Sequence, residues 1–272
     1  MSEDYIQEAL FGESPTKQKY QTSSSIPPSI DPYRTHKIVL GVFLVFYLLF
    51  VYFTNPRPIA EILKENILLL MVILVAITIH ESAHAWINDQ MGDSTARLEG
   101  RISLNPLVHI DWIGLLLFFL GGLGWAKPVP VIPSNFKNTD RSMILSAAAG
   151  PISNFLLAFI GGGFLKLQMM FLKGFYVAHP MIGEWAFSFT ILFIGLNIGI
   201  GFFNFIPLPP LDGSWVLKYS LAEENRHFVT TMEAFGSMIL MLVISSNIPR
   251  NLLAPLVKWS MDLIFMVFMI KF

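Results

Sequence analysis

Leu68-Leu69-Leu70-Met71-Val72-Ile73-Leu74-Val75-Ala76-Ile77-Thr78-Ile79-His80-Glu81-Ser82-Ala83-His84-Ala85-Trp86 is an uncharged apolar run that ends in His-Glu-x-x-His. The run predicts a helix, and on a helix positions four apart stack on one face. His80 and His84 can then aim two imidazole nitrogens at one metal ion, a donor set that suits zinc. Glu81 lies one position round the same turn, within reach of a water on that ion, as a general base must be. Two histidines and a glutamate could also pair only with each other on an interhelical face. Three ionisable groups inside an apolar helix are costly without a use, which favours the metal.

Working outward, the helix is predicted from Glu61 to about Asn88. If it enters a bilayer near Asn66, His80 lies about 21 Å along it, well below the lipid surface. The composition agrees with a membrane setting. Of 272 residues, 54% are hydrophobic and 14% are charged, against about a quarter charged in soluble domains. A formal net charge of −1 excludes a nucleic-acid partner on electrostatic grounds. There is no cysteine, so no disulfide or thiolate ligand is available, and zinc must be held by histidine and carboxylate.

Residues 1–36 are polar and rich in Ser and Pro, and read as a flexible N-terminal tail or a docked arm. The domain proper is expected over residues 37–272. Its first helix candidate is Ile38–Phe53, ended by Pro56 and Pro58. After the His-Glu-x-x-His helix comes a more polar connection, 89–111. Trp112 to Leu123 is about twelve residues, too short to span, and reads as re-entrant or as one arm of a hairpin. Lys127-Pro128-Val129-Pro130-Val131-Ile132-Pro133 reads either as an extended edge strand able to pair with an unfolded peptide or as a rigid loop. The next helix is predicted over Ser142–Leu165, with Thr139 or Asp140 as N-cap. It carries the polar amide of Asn154, which on its own reads equally well as interhelical glue.

Trp185–Phe205 is a strong span that breaks at Pro207-Leu208-Pro209-Pro210-Leu211-Asp212-Gly213. An Asp before Gly is by itself a turn signal. With His80 and His84 still lacking a third ligand, Asp212 is the natural candidate. Two further apolar segments, 232–244 and 252–270, complete an all-α polytopic membrane protein of about six transmembrane helices, with a short re-entrant or β-hairpin segment near the site. Arg97, Arg101, Lys127 and Lys218 fall on the side near the metal, where Lys and Arg outnumber those of the other side about two to one. That places both termini and the site's opening toward the cytoplasm.

The ordered blocks His80-Glu81-x-x-His84, Arg101-Ile102-Ser103-Leu104-Asn105-Pro106-Leu107-Val108-His109-Ile110-Asp111, Gly124-Trp125-Ala126-Lys127-Pro128-Val129-Pro130-Val131, Gly150-Pro151-Ile152-Ser153-Asn154 and Asn204 through Gly213 resemble the site-2 protease family of intramembrane zinc metallopeptidases, in its compact bacterial and archaeal form. The likeness covers about residues 60–220, the expected catalytic core. It implies one zinc per chain, held by His80, His84 and Asp212, with Glu81 as general base and Asn154 steadying the oxyanion or the substrate backbone. It also implies a multi-pass protein of the bacterial inner membrane. The implied partner is a single-span membrane protein or a signal-peptide remnant, cut by regulated intramembrane proteolysis.

Ser214 stands where the family commonly has Gly. Residues 112–141 leave no room for a PDZ insert, and a compact form without a CBS module is expected. His109 reads as a loop histidine, a transient ligand or a support for the metal ligands. The rival reading is a zinc-binding membrane protein without catalysis, a scaffold or sensor, in which Glu81 would have no purpose. A transporter is disfavoured, because no repeated broken helices are present. The oligomeric state and the substrate's identity are not written in these residues.

Overall fold

The computed structural model describes residues 58–121 and 124–271. The expected tail at 1–36, with His36 at its end, and the expected first helix at 38–53 lie outside the described residues.

Helix α1 (Ile59–Met91) contains the His-Glu-x-x-His turn and is 33 residues long. Val72, Ala76, His80, His84 and Asn88, spaced four apart, form its buried stripe, while Ile67, Met71 and Val75 face outward. It ends at Gly92, whose φ of 116° is a left-handed cap that favours glycine. A short α2 (Thr95–Leu98) follows. Residues 106–108 make one 3₁₀ turn, and α3 (Trp112–Gly121) is a ten-residue helix. Ile110 and Ala126 then pair in a single antiparallel bridge, so the chain that leaves through α3 comes back beside its starting point.

The close return depends on glycine. A side chain at Gly114 would meet the Trp125 carbonyl oxygen at 2.2 Å, and one at Gly124 would meet the Gly114 oxygen at 2.5 Å.

Residues 127–132 form neither helix nor strand, Ile132 is extended, and Pro133 opens a 3₁₀ turn that runs to Asn135. The backbone is engaged in other ways. Lys127 N donates to His109 O, and the buried Arg101 guanidinium donates to the carbonyls of Lys127 and Pro128 at 2.5 and 3.0 Å.

Asp93 closes the other end of this stretch. Its buried carboxylate accepts from Ile132 N, Asn135 Nδ2, Thr95 N and the Thr95 hydroxyl. Burial would push its carboxyl pKa up. The four donors outweigh that and hold it below the ordinary carboxylate value. A lowered folded-state pKa contributes stability that is complete above the unfolded value of about 3.9 and fades as pH falls through the folded one. Asp93→Asn sets an amide N–H against Ile132 N–H and is expected to cost about 3 kcal/mol at neutral pH. Thermal unfolding in detergent should show that deficit, and it should narrow below about pH 4.

Helix α4 (Thr139–Phe171) is the element around which the others pack. Its N-cap is Asn138, whose side chain accepts from Arg141 N at 3.0 Å, rather than Thr139 or Asp140. It is followed by α5 (Lys173–Ala178), α6 (Pro180–Asn204) and α7 (Asp212–Ser220). Next come α8 (Arg226–Ser245) and α9 (Ile248–Val267). The polar stretch from Lys218 to His227 is mostly helical.

Lipid gives no hydrophobic drive between helices, so close packing and buried hydrogen bonds hold them together. Gly161 and Gly162 on α4 admit Ile194 of α6 and Ile264 of α9. Added side chains there would meet those two at 2.9 and 2.2 Å. Ala158, Leu165, Ile194, Ile198, Ile264 and Ile270 form the apolar core at this part of α4.

Four helical stretches among the described residues are long and apolar enough to cross a membrane: Ala60–Met91, Thr139–Phe171, Pro180–Asn204 and Glu223–Ser245. Helix α9 is not one of them. Arg250, Lys258 and Asp262 within its 20 residues set it apart.

Candidate metal centre

Three elements meet at one point. Helix α1 supplies His80 and His84, and α4 lies across their ring edges. The break after α6 delivers Asp212 as the first residue of α7. The break is tightly folded. Leu208 N, Leu211 N and Ser214 N bond back to Ile206, Leu208 and Leu211 carbonyls. Gly213 has no room for a side chain, which would lie 2.3 Å from Phe205 O, and Gly236 of α8 packs onto Pro209 O. Ser214, where the family favours Gly, is buried and donates its hydroxyl to Leu211 O at 2.7 Å.

The Nε2 atoms of His80 and His84 are 3.1 Å apart, and Asp212 Oδ2 lies 3.1 and 3.4 Å from them. Tetrahedral zinc with bonds of about 2.0–2.1 Å separates its ligand atoms by about 3.3 Å. The spacing therefore matches a zinc site, and the hydrogen bonding supports the match independently. His84 Nδ1 faces the Ser146 carbonyl at 2.7 Å, which can only accept, so Nδ1 carries the proton. His80 Nδ1 faces Asn154 Oδ1 at 2.6 Å and is a donor by the same logic. Both Nε2 lone pairs then converge on each other and on a carboxylate oxygen. Such a trio needs a positive charge at its centre, a proton or a metal cation. Among the described residues, His80, His84 and Asp212 are the group able to hold a metal ion.

The trio forms part of the wall of a mainly apolar cavity of about 1020 Å³. Glu81, half-buried, lines the same cavity, as do Trp125, Val129, Asn204 and Leu240. His109 also borders it. It is fully buried, its Nε2 donates to Ser103 O at 2.9 Å, and its Nδ1 has no partner. His179 and His227 are exposed and distant in sequence from these blocks.

Asn154 reaches the site through His80. It is fully buried, and both ends of its amide are engaged by protein atoms. Besides the bond to His80, its Nδ2 donates to Asn197 Oδ1 at 2.8 Å and to Ala76 O at 3.3 Å. Steadying an oxyanion would require one of these bonds to open. Sequence reading missed Asn197. The available signal was an amide in an otherwise apolar span, the same that drew attention to Asn154.

The chain is 34% identical over 205 residues to the protein named "Putative zinc metalloprotease YwhC" of Bacillus subtilis, covering 74% of this chain and 90% of that one. It is 26% identical over 195 residues to proteins named "Putative zinc metalloprotease Rip2" from Mycolicibacterium smegmatis and Mycobacterium tuberculosis, covering 70% of this chain and 71% of each. No family model and no solved structure matches it.

Proposed function

The chain belongs to the site-2 protease family, and from that premise we propose that it is an intramembrane zinc metalloprotease that hydrolyses a peptide bond in or near the membrane segment of an anchored substrate. The observation that carries the reading is the trio of His80, His84 and Asp212 on the wall of an apolar cavity that Glu81 also lines.

A zinc ion held by these three residues would supply Lewis acidity and lower the pKa of a bound water toward neutrality. Glu81 takes the proton from the attacking water. It then gives it to the amide nitrogen as the carbon–nitrogen bond breaks, so that acid and amine products leave with the proton balance closed. The Ser146 carbonyl and Asn154 hold the two imidazoles in the tautomer that presents Nε2. The cavity walls limit bulk water, which strengthens the electrostatic interactions inside.

A helical substrate has its carbonyls hydrogen-bonded, so the segment cut must unwind. Pro128, Val129 and Val131 border the cavity, and their segment would receive the unwound strand by backbone pairing.

In this reading α9 joins the four long apolar helices as a span, toward an expected total of about six. Residues 112–126 form a re-entrant hairpin, which the Ile110–Ala126 bridge supports. The excess of Lys and Arg near the site orients it to the cytoplasm of a bacterial inner membrane. The partner is a single-span protein or a signal-peptide remnant. The test is quantitative membrane proteomics in cells carrying wild-type or Glu81→Gln protein. A single-span protein that accumulates uncut in the variant supports the reading. Unchanged membrane proteomes, with both proteins expressed, would refute it.

A further inference from the structure

Asn154 and Asn197 lie on different helices, are both fully buried, and touch each other inside the membrane-spanning bundle. Ordinarily the oxygen and nitrogen of a buried amide can be interchanged. Here neighbouring backbone carbonyls, which can only accept, fix both orientations. Asn197 Nδ2 lies 2.9 Å from Phe193 O, so its Oδ1 must face Asn154. Asn154 Nδ2 lies 2.8 Å from that oxygen and 3.3 Å from Ala76 O, so its own Oδ1 must face His80. The His80 ring then has an acceptor 2.6 Å from Nδ1 and must carry its proton there. A directional chain therefore runs from the Phe193 carbonyl on α6, through two amides, to the ring on α1.

We propose that Asn197 is a positioning residue for the metal ligand His80, acting through Asn154 to fix the tautomer and orientation that present Nε2 to the ion. The inference rests on the zinc reading above. Its chemistry is that of groups behind a metal-bound histidine, whose removal typically weakens metal binding by about 10–100-fold. Asn197 is not itself in contact with the trio, so it would act only through the relay.

Asn197→Leu keeps the side-chain size and leaves the Phe193 carbonyl in its helix, but removes the acceptor for Asn154. Asn197→Asp, uncharged at this fully buried position, keeps an acceptor facing Asn154 and a hydroxyl to donate to Phe193 O, and serves as the conservative partner. Zinc affinity is read by competition with a chelating dye, and the ligand field by the visible spectrum of the cobalt-substituted protein. The thermal stability of the metal-free protein is measured alongside.

The expected result is a zinc affinity about 10–100-fold weaker in Asn197→Leu, with an altered cobalt spectrum and little change in metal-free stability. Asn197→Asp should stay within about threefold of wild type. Wild-type affinity and spectrum in Asn197→Leu would overturn the proposal. A loss of affinity matched by an equal loss of metal-free stability would also overturn it, because that is a packing defect. A wild-type protein that holds no zinc would instead overturn the metal site itself, and this proposal with it.

Discussion

Glu81→Gln should leave zinc bound and lower kcat by about 10²–10⁴-fold, the usual share of a positioned general base. Gln preserves the size of the side chain and its place beside His80, but it cannot take a proton. None of the three metal ligands is touched, so metal content measured on purified protein should match wild type. The two readouts together separate the rival readings. A zinc scaffold or sensor would keep its metal and have no cleavage to lose. A protease loses cleavage of a membrane-embedded reporter peptide while its metal stays. If cleavage persists at the wild-type rate, another group carries the proton and the assignment of Glu81 is wrong.

Gly150→Ala is expected to be as damaging, through geometry rather than chemistry. A methyl group at Gly150 would lie 2.3 Å from His84 Nε2 and 2.6 Å from both Nε2 and Cε1 of His80. Those are the atoms that face the metal. Ordinary contacts are about 3.5 Å, so either α4 withdraws by about an ångström or the rings turn away. Both responses spoil the ligand spacing. Withdrawal also strains the His80–Asn154 and His84–Ser146 hydrogen bonds, because both partners sit on α4. Zinc affinity is expected to fall by about 100-fold, and activity with it, while circular dichroism shows the helices intact. A Gly150→Ala protein that binds zinc like wild type would mean that α4 does not approach the rings this closely.

The contrast between these two residues shows what the sequence could reveal. Glu81 announces itself, because the donor types and the four-residue spacing are both local to one helix. Asp212 was legible by elimination, since a carboxylate in a proline-rich break matched a site one ligand short. Gly150 reads only as a small residue suited to helix packing. What it packs against, two imidazole edges 66 and 70 residues away in sequence, is a fact of tertiary structure.

Asn154 carries the same lesson. The residue could be singled out, but its hydrogen bonds depend on Ala76 and Asn197, which no pattern along the chain connects to it. Helix boundaries were less legible than helix existence. α4 begins behind Asn138, and α8 extends back to Arg226, because capping and tertiary contacts decide where a helix ends. Of the two readings of 127–133, edge strand or rigid loop, no strand forms among the described residues. Proline removes donors from the ladder, and Arg101 takes two of its carbonyls.

That last detail bears on where a substrate would be cut. With Arg101 holding the carbonyls of 127 and 128, and Asp93 holding the amide of Ile132, the part of this stretch left with backbone groups to offer is Val129 to Val131, where Pro130 offers only its carbonyl. In the proposed reading such a ledge would grip two or three residues of a guest chain and read little of its identity. It would work as a ruler, fixing how far the severed bond lies from the point where the guest lies down. Cleavage sites mapped by mass spectrometry in unrelated guests should then fall at one distance from the end of the intact helix, whatever residues flank them.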